Sequence, residues 1–202
     1  MLTYGYFFYI PVTLAFLLPI IIAGVLKKRP LGFYLISIII CTYFNLLIKY
    51  SLFPIWLDGS ELFTSIAKCV NFRLRFNNLD TYQIIGNIIL TFPIGFCIPF
   101  LASITKKQNY IFTLLLSISI EFIQLVLIIT LHTVDICFDL QDIILNMLGG
   151  FLGCICFSLI SKLIERLSQR YFPNINPRND VFSFIITICN NYSTHQKTFY
   201  DV

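Results

Sequence analysis

The sequence predicts an all-α fold: a polytopic membrane protein of about five transmembrane helices, amino terminus outside and carboxyl terminus in the cytoplasm. Composition is the first observation behind this. Of 202 residues, 57% are hydrophobic and 12% charged, against about 45–50% and about 25% in soluble domains. Mean hydropathy is +0.83. A compact soluble domain of this length cannot hide that much apolar surface behind so thin a polar shell. A soluble enzyme, a disordered chain and a nucleic-acid-binding domain with a basic face are therefore excluded. The second observation is five apolar segments, each near the roughly 20 residues that cross a bilayer. The third is the alternation of basic residues from loop to loop.

The first span is Tyr6–Leu26, with Pro11 and Pro19 as expected kinks. No cleavable signal peptide is expected, because no positive charge precedes the first apolar run and no A-x-A site follows it. The second span is Leu31–Phe53, with Lys49 near its end and able to snorkel. The third, Ile84–Ile104, carries Pro93, Gly95 and Pro99. The fourth is Tyr110–Leu131 and the fifth Asp139–Ile160.

Between spans two and three, Leu62, Phe63, Ile66, Ala67 and Val70 recur at helical spacing within Glu61–Val70. This predicts a short helix, either lying in the membrane interface or packed on the spans. Arg73 and Arg75 follow it, as partners for acidic groups or as interfacial anchors. After Pro173 the chain turns polar. The apolar run Val181–Cys189 is too short to span, so it dips into the interface or packs on the cytoplasmic face.

Lys27, Lys28, Arg29, Lys106, Lys107, Lys162, Arg166, Arg170, Arg178 and Lys197 fall in three segments that five spans place on one side. These are ten of the 14 basic residues. Only Glu165, Asp180 and Asp201 accompany them. The positive-inside rule puts that side in the cytoplasm.

The seven cysteines are Cys41, Cys69, Cys97, Cys137, Cys154, Cys156 and Cys189. None forms a CxxC pair and most lie in apolar stretches, where a thiol packs as a small hydrophobe. No disulfide framework is expected. His132 and Asp135 stand near other acids but match no metal signature, so neither a metal nor a cofactor is predicted.

Polar residues inside spans are costly and demand a reason. In span four, Ser117, Glu121 and Gln124 share one helical face. In span five, Asp139, Asp142 and Asn146 form a stripe that continues through Gly149, Gly150 and Gly153, which admit a close neighbouring helix. Asn87 lies in the first turn of span three. The topology sets Asn87, Gln124, Asp139, Asp142 and Asn146 at similar outer depth with Glu121 beneath. That predicts a polar pocket opening outward. The competing reading is structural: amides as helix-packing glue, and Asp139 and Asp142 as a helix N-terminal pair.

These residues resemble the VanZ-like family of bacterial membrane proteins. Asn87-Ile88-Ile89-Leu90-Thr91-Phe92-Pro93-Ile94-Gly95-Phe96 is similar to the family's N-x-x-L-F-x-P-x-G-F. Ser119-Ile120-Glu121-Phe122-Ile123-Gln124 is similar to its I-E-x-x-Q. Asp139-Leu140-Gln141-Asp142-Ile143-Ile144-Leu145-Asn146-Met147-Leu148-Gly149-Gly150 is similar to its D-x-x-D-x-x-x-N-x-x-G-G. The three occur in the family's order over Asn71–Ile160. The family often has an Arg where Ile136 stands and a further acid where Gln141 stands. Its upstream N-L-x-P-F is represented by Asn71-Phe72 without the proline. The spans and charges make residues 1–53 two amino-terminal transmembrane helices and 162–202 a cytoplasmic tail, and the resemblance makes 54–161 a VanZ-like core. Pro93 and Gly95 join the glycines as helix-packing positions. The resemblance implies resistance to teicoplanin and related lipoglycopeptides, in the cytoplasmic membrane of a gram-positive bacterium.

Three functions are compatible with these residues. One is a non-enzymatic cell-envelope factor whose outer pocket meets a lipid-linked cell-wall precursor or a lipoglycopeptide. Another is a membrane enzyme acting on lipid-linked head groups, with Glu121, Asp139 and Asp142 as catalytic candidates. The lipid-phosphatase class is excluded, since only Lys28-Arg29-Pro30 of its signature is present. The last is a small transporter coupled to protons through Glu121, whose five spans would call for a homo-oligomer. The bilayer is the expected partner in all three, and nucleic acid in none.

Overall fold

A computed structural model of the chain describes residues 2–55, 62–72, 74, 81–133, 135–171 and 180–194. Arg73, Arg75, Arg178, His195, Lys197 and Asp201 lie outside the described residues, as do the side chains of Glu61, Leu62 and Phe63. The elements run α1 (Tyr6–Leu26), α2 (Leu31–Leu52), α3 (Leu62–Cys69), β1 (Val70–Asn71), α4 (Thr81–Leu101), α5 (Lys106–Leu131), β2 (Phe138–Asp139), α6 (Leu140–Tyr171) and α7 (Val181–Thr194). Five of the helices, α1, α2, α4, α5 and α6, are long and apolar enough to cross a membrane, as expected.

Their ends follow from local chemistry. α5 begins four residues before the expected Tyr110 because Thr105 and Gln108 form a capping box. Gln108 N–H donates to Thr105 Oγ1 at 3.3 Å, and Thr105 N–H donates to Gln108 Oε1 at 2.8 Å. It ends where His132 turns left-handed at φ 53° and donates its N–H to Ile128 O. α6 runs past the expected Ile160 to Tyr171. Polar residues on this extension meet α7: Ser168 Oγ donates to Asn190 Oδ1 at 3.1 Å, and Ser193 Oγ donates to Glu165 Oε2.

α4 and α6 form the most intimate pair, and the glycine stripe is why. A Cβ on Gly95 would overlap the Gly150 carbonyl oxygen, one on Gly149 the Ile88 carbonyl and Thr91 Oγ1, and one on Gly153 the Phe92 carbonyl. Backbones this close leave no room for a side chain, the small-residue packing used between membrane helices. A Cβ on Gly150 would overlap Thr113 Cγ2, so α5 also closes on α6. Pro93 lies half-buried inside α4. α2 packs against α1, α4 and α7. α1 touches α2 and is otherwise apolar and exposed, with Phe7, Val25 and Leu26 among its bare side chains, as a lipid-facing helix requires.

α7 resolves the two options left for Val181–Cys189 in favour of packing. It buries Phe184, Ile188, Cys189 and Tyr192 against Phe33 and Phe157. α3 forms as expected and packs on α5. Its buried positions are Ser65 and Cys69, one turn apart, while Ala67 is exposed. Ser65 Oγ donates to His132 O at 2.8 Å.

The two short strands were not expected. β1 pairs parallel to β2, Val70 with Phe138 and Asn71 with Asp139. Asp139 is therefore not the first residue of the fifth span. It ends a strand and caps α6, with its Oδ1 accepting from Gln141 N–H at 2.8 Å.

Candidate functional site

At one end of the bundle, the last turn of α2, the first turns of α4 and α6 and the carboxyl-terminal half of α5 surround a cavity of about 260 Å³. The basic turns Lys27–Arg29 and Lys106–Lys107 lie at the opposite ends of these helices. Five of the six residues expected in a common pocket line it: Asn87 from α4, Glu121 and Gln124 from α5, Asp142 and Asn146 from α6. Helical spacing accounts for this. Glu121 and Gln124 are three apart on one face, Asp142 and Asn146 four apart on another.

Glu121 and Asn146 are 1% and 2% exposed. Such burial of polar side chains costs free energy unless hydrogen bonds compensate. Glu121 Oε2 accepts from the backbone N–H of Asp139 at 3.1 Å. Asp142 Oδ1 accepts from Gln83 Nε2 at 2.8 Å and stands beside Asn87. Gln124 Nε2 donates to Ser51 O at 2.9 Å. Ser51 Oγ, Gln124 Oε1 and Asn146 Oδ1, all from lining residues, are among the buried polar atoms with no partner among the described residues. Buried polar atoms without protein partners are where ordered water or a ligand bonds.

Asp139, the sixth, is not among the cavity-lining residues. Its carboxylate accepts from Asn71 Nδ2 at 2.9 Å and from Gln141, and its N–H reaches Glu121. It fastens β1 to the entrance of α6 and holds the floor of the cavity from behind. Gln141, where the resemblance led us to expect an acid, is buried in the same bonds. Ile136, where an Arg was expected, lines the cavity.

The sequence reading missed several contributors. Gln83 sits one turn before Asn87 on α4, so its helical spacing could have found it. Ser51, Tyr50 and Cys137 reach the cavity through long-range packing that carries no local signal. Among the described lining residues none is Lys or Arg, while Asp135 adds a third carboxyl to Glu121 and Asp142. The wall therefore offers carboxyl, amide and hydroxyl groups for hydrogen bonding, with no cation among its described residues.

The sequence model of the VanZ/LLP1 family matches residues 31–161. The chain belongs to the VanZ/LLP1 family. Within it, Protein VanZ of Enterococcus faecium is 30% identical over 130 residues, covering 58% of this chain and 74% of that protein. No solved structure matches the chain. The VanZ/LLP1 match begins at Leu31, so it takes in α2, whose last turn supplies Tyr50 and Ser51 to the cavity. It ends at Ser161, before the α6 extension and α7.

Proposed function

We propose that this chain is a non-enzymatic factor of the bacterial cytoplasmic membrane that lowers susceptibility to lipoglycopeptides such as teicoplanin. The cavity faces the outer side and holds one end of a lipid-linked cell-wall precursor or of the lipoglycopeptide. VanZ/LLP1 membership supports the phenotype. The single observation that carries the pocket is the convergence of Asn87, Glu121, Gln124, Asp142 and Asn146 on one cavity with buried, unpartnered polar atoms on its wall. The outward direction rests on the basic turns at the opposite end of the helices.

The chemistry of the wall narrows the ligand. Acceptors and carboxyls favour a group rich in donors, such as sugar hydroxyls or an ammonium, over a bare phosphate. Purified protein in nanodiscs, titrated with teicoplanin and with a lipid-linked precursor, tests this directly. Wild type binds one of them, and Glu121→Gln or Asn146→Ala weakens that binding at least about ten-fold, or about 1.4 kcal/mol. A wild-type protein with no affinity for either contradicts the proposal.

A further inference from the structure

The pairing of β1 with β2 sets Val70 opposite Phe138. One rung back stand Cys69, the last residue of α3, and Cys137. Neighbouring strands lie about 4.8 Å apart, and disulfides join residues whose Cα atoms are about 4.4–6.8 Å apart. The two thiols lie close enough to influence each other. Cys69 is buried, while Cys137 is exposed and lines the cavity. Of the other five cysteines, Cys41, Cys97, Cys154 and Cys156 sit on membrane-spanning helices and Cys189 on α7.

We propose that Cys69 and Cys137 are a modification site, oxidised in the cell to a disulfide that locks α3 and β1 onto the segment entering α6. The bond reinforces a strand pair only two residues long, next to the Asn71–Asp139 hydrogen bond and at the cavity wall. The proposal rests on the outward orientation given under Proposed function, because exposed thiols facing the cytoplasm are kept reduced.

The co-reactant is an oxidised thiol–disulfide oxidoreductase or another small disulfide. The Cys137 thiolate attacks one sulfur of that disulfide, forming a mixed disulfide and releasing one thiolate. The Cys69 thiolate then attacks the Cys137 sulfur and expels the second. Both cysteine protons pass to the released thiolates, so the pair loses two electrons and the co-reactant gains two. Partial burial pushes the Cys137 thiol up to about 12, and the neighbouring Cys69 and the Asp139 and Asp142 carboxyls push the same way. Cys137 therefore holds little thiolate at neutral pH, and oxidation depends on a catalyst.

The test alkylates thiols in intact cells expressing the full chain, before any reductant, and then digests the protein with trypsin. The sequence lets cleavage follow Lys68, Arg73, Lys107 and Lys162. The expected product is the peptide beginning at Cys69 cross-linked to the one containing Cys137, with two of the seven thiols unalkylated until reduction. Cys69→Ser and Cys137→Ser each abolish the cross-link, and Cys156→Ser keeps it. Full alkylation of both thiols in cells overturns the proposal. If the purified protein then cross-links with oxidised glutathione, the geometry stands but the cellular oxidation does not. If it does not, the pairing itself fails. The orientation is read separately: in reduced intact cells, a membrane-impermeant maleimide labels Cys137 if the cavity end is outside and leaves it unlabelled otherwise.

Discussion

A single methyl group added at Gly95 or Gly153 drives α4 and α6 apart. At Gly95 the new Cβ would overlap the Gly150 carbonyl and lie 2.8 Å from Cys154 N. At Gly153 it would overlap the Phe92 carbonyl and lie 2.9 Å from Phe96 N. These are backbone atoms, so no rotamer change relieves the clash and the helices must part. Gly86 on α4 supplies the control, since nothing lies within 4 Å of its Cβ. There Gly86→Ala brings only the helix-propensity gain, about 0.5–1 kcal/mol. At Gly95 and Gly153 the same gain is opposed by overpacking, about 1–3 kcal/mol where side chains can yield and more where only backbone can. The expected net loss is about 2 kcal/mol. For a chain of this size that lowers Tm by about 4–8 °C. Thermal unfolding of the purified variants in mild detergent measures it. Gly95→Ala and Gly153→Ala proteins as stable as Gly86→Ala would refute the close-packed α4–α6 contact.

Three further outcomes follow from particular bonds. Asp139→Ala removes the cap of α6 and the acceptor for Asn71, costing about 1–2 kcal/mol; hydrogen exchange should show lost protection at residues 70–71 and 138–139, and unchanged protection contradicts the clasp. Thr105→Ala breaks the capping box of α5 and should cost about 1 kcal/mol in the same unfolding assay. Asp180 Oδ1 accepts from Ser183 N–H at 2.6 Å at the start of α7, and this bond holds its carboxyl below the ordinary 3.8. Its support for α7 is therefore present above pH 3.8 and lost as pH falls below it. Limited proteolysis of the tail should distinguish Asp180→Ala from wild type at neutral pH and converge with it in strong acid.

The spans were legible because the bilayer imposes length and hydropathy on each segment independently of the others. The pocket residues were legible because charge inside a span is rare enough to stand out. Glu121, Asp142 and Asn146 announced themselves by type, and helical spacing set each on a face. What the sequence does not carry is pairing between distant segments. Asn71 and Asp139 meet across a strand pair too short to leave an alternating pattern. For the same reason Asp139 reads as the start of a span when it caps one. Cys69 and Cys137 look like isolated packing thiols until the register puts them side by side. The α6 extension escaped notice because a hydropathy window ends at Lys162, whereas helical structure continues wherever a neighbour such as α7 covers it.

The proposed function makes the polar cavity the source of protection. The most direct measurement is teicoplanin susceptibility of a sensitive gram-positive host expressing wild type, Glu121→Gln, Asp142→Asn or Asn146→Ala at matched membrane levels. Wild type is expected to raise the inhibitory concentration, and the three variants to leave it near that of the empty host. Protection by all three variants equal to wild type, or no protection by well-expressed wild type, would contradict it.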